Sequence, residues 1–263
     1  MMKSALKLAA AITIFAVASV AFCRCDFLRP LAGVSSENRY ERAVQQTVLI
    51  VTPSGSQGSG VVIKRSSPDG ERLFVWTAAH VTCNADTFDV IKSFPSGTAT
   101  FKAHLIASDT KFDVALLQLD APTILFQYAE FAPENYTGRI GDWIYHCGNV
   151  LGQNYVNLVS RGIISHEGNI LWALVDVSTL QAEHGCSGGP VYAESNQQVI
   201  GILIAGIARG QYVGYVPVRE IWKFAKSEGV RWAVYGNYCP SDATLKILID
   251  DHRVAPNQSD IQE

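Results

Sequence analysis

One short stretch decides how this chain is interpreted: Gly185-Cys186-Ser187-Gly188-Gly189-Pro190. Three glycines and a proline disfavour both helix and strand, and glycine allows backbone angles that other residues avoid. The chain is therefore predicted to turn tightly here and to present Ser187 at the top of the turn. The backbone N–H groups of Gly185 and Ser187 would then point towards one spot, which is typical of an oxyanion hole. By itself, however, a short glycine–serine run is most often an ordinary turn.

Two upstream residues supply the chemistry that a serine nucleophile needs. His80 follows the apolar run 73–76, and Asp113 directly precedes the apolar run 114–119. A serine hydroxyl is a weak nucleophile unless a base takes its proton, and an imidazole needs a carboxylate to fix its tautomer. Taken singly, His80 is better explained as a structural histidine and Asp113 as a solvated turn residue. Together with Ser187, in the order His, Asp, Ser at three strand edges, they predict a catalytic triad.

The cysteines leave several interpretations open. There are six of them, and so many pairings are allowed that the sequence cannot choose among them. They are Cys23, Cys25, Cys83, Cys147, Cys186 and Cys239. Cys186 is an alternative nucleophile, although it occupies the variable position before the serine. Because no Cys-x-x-Cys or His-x-x-x-His spacing occurs, neither a structural zinc site nor any other metal is expected.

Composition indicates an ordinary globular protein and excludes some classes of partner. Of the 263 residues, 48% are hydrophobic and 17% are charged, and the formal net charge is -3. With a pI near 6.1, the chain has no electrostatic footprint for nucleic acid. It also lacks a P-loop or dinucleotide-type glycine pattern, so no cofactor is expected. These features therefore give no sign of a nucleic-acid partner or a nucleotide cofactor.

The first residues have the pattern of a targeting segment. Two lysines precede an uncharged apolar run, residues 8–23, which fits a secretory signal better than a full bilayer span. We interpret residues 1–22 as a signal peptide or an N-terminal membrane anchor, and residues 23–44 as a linker. The body of the protein is therefore expected to be exported to the periplasm or beyond, with a membrane tether through residues 8–23 as the alternative.

The body of the chain has the rhythm of an all-β fold. Short β-branched or apolar runs alternate with glycine-, proline- and aspartate-rich turns, with little long helical periodicity. Predicted strands cover 47–52, 59–63, 73–77, 88–93, 98–107, 114–119, 142–147, 155–160, 162–165, 170–177 and 199–204. They fall into two halves, 45–121 and 139–217, joined by a crossover. One short helix is predicted near 218–224, followed by a tail, residues 229–263, that ends in a disordered polar stretch.

A series of short motifs resembles one known family. They are Ser59-Gly60-Val61-Val62-Ile63, Thr77-Ala78-Ala79-His80-Val81, Asp113-Val114-Ala115-Leu116-Leu117, Gly141-Asp142-Trp143-Ile144, Gly148-Asn149-Val150-Leu151-Gly152, Val159-Ser160-Arg161-Gly162-Ile163-Ile164-Ser165, the Ser187 turn and Val199-Ile200-Gly201-Ile202. In this order they resemble the trypsin-like serine peptidases of the chymotrypsin fold, and within them the bacterial HtrA/Deg branch. The order of so many motifs is more specific than any one of them.

The resemblance implies a fold and a site. It implies two perpendicular β-barrels forming a peptidase domain over residues 45–228, with the active site in the cleft between them. His80 and Asp113 would come from the first barrel and Ser187 from the second. The sequence departs from the branch in the residues before the serine, in Val150 where proline is common, and in having too few residues after the helix for a PDZ domain. A branch member without a PDZ domain is therefore expected.

The resemblance also implies a function. It predicts a serine endopeptidase that acts on polypeptide substrates through an acyl-enzyme, with Gln181 at the base of the primary pocket and Ile204 and Gly206 on a pocket wall. A glutamine there does not support a preference for basic side chains. The wall of Ile204, Ala205 and Gly206 instead predicts small or medium apolar side chains. The alternative is a catalytically inactive, peptide-binding adaptor with the same fold. An esterase of the α/β-hydrolase type would need the order Ser, Asp, His and more helices.

Overall fold

Twelve strands in the described part of the chain form two closed antiparallel β-barrels. The computed structural model describes residues 38–82, 85–151, 157–168, 174–207 and 212–254. Each strand arises from a short run of β-branched, aromatic or aliphatic residues, which fit a pleated and half-buried surface. The prediction of an all-β protein with two barrels is confirmed.

The first barrel contains six strands. They are β1 (Thr47–Val51), β2 (Gln57–Ser67), β3 (Gly70–Thr77), β4 (Thr87–Phe94), β5 (Gly97–Asp109) and β6 (Val114–Asp120). Neighbouring strands follow the order β1-β2-β3-β6-β5-β4, and β4 closes the barrel on β1. The hairpin between β2 and β3 turns at Gly70, whose φ of +121° is a conformation that favours glycine.

The second barrel also contains six strands. They are β7 (Trp143–Asn149), β8 (Asn157–His166), β9 (Asp176–Ser178), β10 (Pro190–Ala193), β11 (Val199–Ile207) and β12 (Tyr212–Pro217). Their order around the barrel is β7-β8-β9-β12-β11-β10. This is the same pattern of neighbours as in the first barrel, so the two halves share one topology.

Three features of the second barrel differ from the prediction. The predicted strands 155–160 and 162–165 are continuous from Asn157 onwards as one strand, β8, because Arg161 and Gly162 continue the ladder opposite Tyr145 and Ile144, whereas residues 155–156 lie outside the described residues. Of the predicted strand 170–177, only the end falls in β9, and residues 170–173 lie outside the described residues. The sequence predicted neither β10, which has four residues and begins with a proline, nor β12, whose internal glycine and terminal proline weaken the strand signal.

The predicted crossover joins the barrels through backbone hydrogen bonds. The N–H of Ala129 donates to the carbonyl of Val62 in β2 (2.8 Å), and the N–H of Ala132 donates to that of Val199 in β11 (2.9 Å). A 3₁₀ turn at Thr123–Leu125 begins this segment. The crossover is therefore hydrogen-bonded to β2 of the first barrel and to β11 of the second.

Helices are short and lie at the ends of the strands. They are α1 (Arg39–Gln46), α2 (Ala79–Thr82), α3 (Val218–Ser227) and α4 (Asp242–Val254), with a further 3₁₀ turn at Arg231–Ala233. The predicted closing helix is α3, which buries Ile221 and Phe224, and the Phe224 ring packs edge-on against Trp76 of β3. Apolar residues at helical spacing thus did identify a helix that covers the core.

The N-terminal linker is partly helical. Helix α1 begins at Arg39, within the predicted linker 23–44, and its Tyr40 ring packs edge-on against Tyr145 of β7. Arg39 also forms an ion pair with Glu194 (2.9 Å). The predicted signal segment, residues 1–22, lies outside the described residues. Among the residues that are described, no helix has the length and apolarity needed to cross a membrane.

The segment after α3 was predicted as a tail with a disordered polar end, and most of its length is structured. Within the predicted tail 229–263, residues 230–254, here called the C-terminal segment, pack against the first barrel. The buried Arg65 of β2 donates from Nε to the carbonyl of Trp232 (2.8 Å) and from Nη2 to that of Ala233 (3.1 Å). These anchors join backbone carbonyls to a side chain far away in sequence, which is why no local pattern predicted them. Residues 255–263 lie outside the described residues.

Candidate active site

His80 and Asp113 meet at the edge of the first barrel. His80 lies on the four-residue helix α2, directly after β3, and Asp113 lies in the turn between β5 and β6. The Nδ1 atom of His80 is 2.8 Å from Oδ2 and 3.0 Å from Oδ1 of Asp113, and the backbone N–H of His80 donates to Oδ1 (2.9 Å). The carboxylate therefore fixes both the ring and the backbone of His80.

Asp113 holds a backbone conformation that few residues adopt. Its φ is +53°, in the left-handed region, although it is not glycine. Such a conformation costs on the order of 1–3 kcal/mol and persists only where the surroundings enforce it. Here it turns the chain into β6 and aims the carboxylate at His80. The His80 side chain remains 44% exposed, so its ring is accessible from the solvent side.

The turn around Ser187 has a distinctive pattern of hydrogen bonds. The N–H of Cys186 donates to the carbonyl of Glu183 (3.0 Å), and the N–H of Gly188 donates to the carbonyl of Leu203 (2.7 Å). The N–H of Gly189 donates to the carbonyl of Cys186 (3.0 Å). By contrast, the N–H groups of Gly185 and Ser187 donate to no acceptor among the described residues. Two donors that alternate with bonded neighbours are thus left available on one short loop.

Only glycine fits at position 188. Its φ is +87°, and a Cβ there would lie 2.1 Å from the carbonyl oxygen of Ser59 and 2.2 Å from Oγ1 of Thr77. The same Cβ would be 3.1 Å from the backbone nitrogen of Ala78, two residues before His80. The glycine therefore brings the Ser187 turn of the second barrel against the strand end that carries His80.

The hydroxyl of Ser187 points to a different partner. Its Oγ donates to the carbonyl of Ile204 in β11 (2.8 Å), and the structure places no Ser187–His80 hydrogen bond. Catalytic hydrogen bonds are often absent or long without substrate and form in the reactive complex. A rotation about the Cα–Cβ bond of Ser187 is therefore needed before His80 can receive the proton.

The residues predicted to line the primary pocket lie on two elements. Gln181 is exposed, and its backbone is fixed because its N–H donates to, and its carbonyl accepts from, Oγ of Ser160 (3.2 and 2.7 Å). Ile204 and Gly206 both belong to β11, where Gly206 lies opposite Val213 of β12. Of the three, Ile204 is joined directly to Ser187, through its carbonyl.

The alternative nucleophile, Cys186, is unsuited to that role. Its side chain is completely buried, and burial raises the pKa of its thiol, which disfavours the reactive thiolate. Cys147 and Cys239 are likewise buried free thiols. The other three cysteines lie outside the described residues, and within those residues no cluster of His, Cys, Asp or Glu has the arrangement of a metal site.

One buried residue at the site has no role in the sequence-based prediction. Ser59 of β2 is fully buried and makes hydrogen bonds to both the Ser187 turn and the second barrel. In the sequence, Ser59 stood out only as the first residue of the motif Ser59-Gly60-Val61-Val62-Ile63, which predicts the start of a strand and indicates nothing about its hydroxyl group.

The double barrel and the paired His80 and Asp113 beside a glycine turn define a class, the trypsin-like peptidases. A model of the trypsin-like peptidase domain matches residues 58–202, more than half of the chain. The chain therefore belongs to the trypsin-like peptidase family, and the resemblance inferred from its motifs is confirmed.

Relatives with curated names place the chain near the Deg branch of this family. A probable periplasmic serine endoprotease, DegP-like, from Brucella suis biovar 1 is 36% identical over 185 residues, covering 68% of this chain and 33% of that protein. A protein of the same name from Rickettsia prowazekii is 34% identical over 159 residues, covering 56% of this chain and 28% of that protein. The chain thus spans about one third of the length of these relatives.

Solved structures agree on the fold. The serine endoprotease from Yersinia pestis has a TM-score of 0.59 at 23% identity, covering 73% of this chain and 65% of that one. The HtrA-type protease AlgW, solved with a tripeptide, has a TM-score of 0.59 at 24% identity, covering 72% and 62%. At such identities the similarity establishes the architecture alone.

Proposed function

We propose that this chain is an exported serine endopeptidase that hydrolyses peptide bonds through an acyl-enzyme. The observation that carries the proposal is the pair of unbonded N–H groups at Gly185 and Ser187, next to a histidine already held by a carboxylate. Export is supported by the signal-like start of the sequence and by the periplasmic names of the relatives.

Each residue has a defined role in this mechanism. The hydroxyl of Ser187 rotates away from Ile204 and attacks the carbonyl carbon of the substrate, while Nε2 of His80 takes its proton. Asp113 orients the imidazole and stabilises its protonated form. The negative oxygen of the tetrahedral intermediate accepts hydrogen bonds from the N–H groups of Gly185 and Ser187, each worth about 3–4 kcal/mol in comparable sites.

The intermediate then collapses in two stages. The C–N bond breaks as His80 returns the proton to the leaving amine, which departs as the new N-terminus. A water molecule then gives a proton to His80 and attacks the acyl carbon. The bond to Oγ of Ser187 breaks as His80 returns the proton to that oxygen, and the second product leaves with its new carboxyl group. Substrates are polypeptides, and Gln181, Ile204 and Gly206 would favour small or medium apolar side chains in the primary pocket.

Reaction with a fluorescent fluorophosphonate tests the proposed chemistry. We expect the wild type to be labelled and the Ser187→Ala variant to be unlabelled. The Cys186→Ala variant, which leaves the serine in place, should keep the label. An unreactive but folded wild type would contradict the proposal and favour the inactive, peptide-binding adaptor. Labelling that survives in Ser187→Ala and vanishes in Cys186→Ala would instead make the cysteine the nucleophile.

Cleavage profiling tests the proposed specificity. Purified protein is incubated with a denatured bacterial proteome, and the new N-termini are sequenced by mass spectrometry. We expect cleavage after small or medium apolar residues, and no new termini with Ser187→Ala. A clear preference for cleavage after lysine or arginine would contradict the assignment of Gln181 to the base of the pocket.

A further inference from the structure

Ser59 makes four hydrogen bonds, and two of them join the first barrel to the Ser187 turn. Its Oγ donates to the carbonyl of Gly185 and accepts from the N–H of Asn149, both at 2.7 Å. Its backbone N–H donates to the carbonyl of Ser187 (2.7 Å), and its own carbonyl accepts from Oγ1 of Thr77 (2.7 Å). Because Ser59 is fully buried, water does not compete for these bonds.

These bonds complete the anchoring of the turn that contains the two free N–H groups. The peptide unit that carries the Gly185 N–H also contains the His184 carbonyl. This carbonyl accepts a hydrogen bond from the backbone N–H of Leu151 (2.7 Å), which holds the unit in place. The unit that carries the Ser187 N–H is held in the same way, because the Cys186 carbonyl accepts from Gly189 (3.0 Å). The direction of each free N–H is thus fixed from one side by the second barrel.

Ser59 fixes the other side. The peptide unit after Gly185 is held through its carbonyl by Oγ of Ser59, and the unit after Ser187 is held through its carbonyl by the backbone N–H of Ser59. Each free N–H therefore belongs to an anchored peptide plane, and the next peptide plane along the chain is anchored as well. Oxyanion stabilisation depends on donors that are already oriented before the reaction, so this anchoring bears on rate.

We propose that the hydroxyl of Ser59 is a positioning group for the oxyanion hole, acting from the opposite barrel through the Gly185 carbonyl. The proposal rests on the proposed serine peptidase function. Replacing Ser59 by alanine leaves two buried backbone groups, the Gly185 carbonyl and the Asn149 N–H, without their partner, and a buried unsatisfied group tends to move towards another partner. The Gly185 N–H would then be held only through the His184 carbonyl, so its direction would be less firmly fixed.

The test compares Ser59→Ala with a matched control, Thr47→Val. Thr47 is also buried in the first barrel, and its Oγ1 donates to the carbonyl of Ala43 (2.8 Å) and forms a hydrogen bond with the Cys147 thiol. Within the described residues, its side chain makes no hydrogen bond to the Ser187 turn. The probe is a fluorescent fluorophosphonate, whose phosphoryl oxygen develops negative charge in the oxyanion hole. We expect Ser59→Ala to lower the second-order labelling rate about 10- to 100-fold, less than the loss of a whole oxyanion donor, and Thr47→Val to label at the wild-type rate.

Two further readouts separate positioning from a general loss of structure. The midpoint of the labelling rate against pH should be the same in Ser59→Ala and wild type, because the His80–Asp113 pair is unchanged. Hydrogen exchange measured by mass spectrometry should be faster in Ser59→Ala over the peptide that spans 183–189, and unchanged there in Thr47→Val. Ser59→Cys, which keeps a weak donor in a similar volume, should have an intermediate labelling rate and serves if the alanine variant does not fold.

The outcomes distinguish this proposal from the function on which it rests. If wild type is labelled and Ser59→Ala matches Thr47→Val in labelling rate and in exchange, the role of Ser59 is overturned while the peptidase function stands. A folded wild type that is not labelled contradicts the peptidase function, and the role of Ser59 in the reaction falls with it. Slower labelling with a shifted pH midpoint would place the effect of Ser59 on His80 rather than on the oxyanion hole and would also overturn the proposal.

Discussion

The two barrels have the same topology but contribute different chemistry. In each, the six strands follow one pattern of neighbours, so β3 and β4 of the first barrel correspond to β9 and β10 of the second. The connection between these strands carries His80 in the first barrel and Ser187 in the second. In one case it is a four-residue helix that presents a side chain, and in the other a glycine turn that presents backbone N–H groups. The local sequence of this connection, rather than the topology, therefore decides which groups each barrel presents at the candidate site.

The interiors of the barrels also differ. The largest fully buried aromatic side chains of the first barrel are Trp76, Phe74 and Phe88, whereas those of the second are Tyr145, Tyr192 and Tyr215. The second barrel further buries His146 and Asp176, and Asp176 accepts two hydrogen bonds from Arg219 (2.6 and 2.8 Å). The first barrel buries Lys92 and Arg65, but burial lowers the pKa of Lys92 only to about 8, so this group keeps its proton below pH 7. His146, in contrast, has an ordinary pKa between 7 and 4, so the second barrel should be the more acid-sensitive half.

The largest effect is expected where the first barrel supplies the base. His80→Ala should lower kcat on fluorescently labelled, unfolded casein by on the order of 10⁶. Asp113→Asn should lower it by about 10⁴, because the ring keeps its place but loses the tautomer that accepts the proton. As controls, His166→Ala and Asp120→Asn change exposed residues of the same types and should retain wild-type rates. Equal rates in His80→Ala and wild type would remove the first barrel from the chemistry.

A smaller effect should separate the two cores. Burial lowers the pKa of His146 to about 4, and the backbone of Pro190 opposes this only weakly. In the unfolded chain this group has its ordinary pKa of 6.5. Between pH 6.5 and 4 the unfolded state therefore binds the proton first, and the free energy of unfolding falls as the pH falls.

This linkage can be measured with His146→Gln. The wild type should lose about 3 kcal/mol more than the variant on going from pH 7 to pH 4, since each pKa unit corresponds to about 1.4 kcal/mol. Urea denaturation at several pH values gives both free energies. The exposed His166→Gln variant should behave as wild type. If His146→Gln loses as much stability as the wild type, the acid sensitivity does not come from this site in the second barrel.

The smallest effects concern the C-terminal segment on the first barrel. Arg65→Met should lower the free energy of unfolding by about 2–3 kcal/mol, because two buried carbonyls lose their donor. Arg72→Met, which breaks the exposed ion pair with Asp242, should lower it by less than about 1 kcal/mol, and less still at high salt. Urea, which is uncharged and does not screen ion pairs, is the denaturant, and denaturation curves of both variants give the two free energies of unfolding. Equal losses would mean that the buried anchors do not hold the segment more firmly than the surface pair.

Much of the fold could be predicted from the sequence because its signals are local. Alternating runs such as 98–107 and the turn at Gly70 depend only on neighbouring residues, and they identified most strands and helix α3 correctly. The strands β10 and β12 and the packing of the C-terminal segment were missed for the converse reason. Their stability comes from partners far away in the chain, such as Ser178 opposite Val213, and Arg65 at the Trp232 carbonyl.

The same division holds at the candidate site. The order of His80, Asp113 and Ser187 was predictable because each lies in a recognisable short motif. Their relation in space was not, and neither was the bond from the Ser187 hydroxyl to Ile204. The contribution of Ser59 was hidden as well, since a serine within a strand motif carries no sign that its hydroxyl reaches the opposite barrel.

By itself, the sequence determined most strand runs, the two barrel halves and the candidate catalytic residues, because these follow from side-chain type and near-neighbour spacing. Tertiary structure alone decided which groups touch: the carboxylate on the imidazole, the two N–H groups without an acceptor among the described residues, and the buried hydroxyl that joins one barrel to the turn of the other. These groups are 33 residues apart within the first barrel and 126 residues apart between the barrels, so their contacts depend on how the barrels close and pack, which no local pattern of residues encodes.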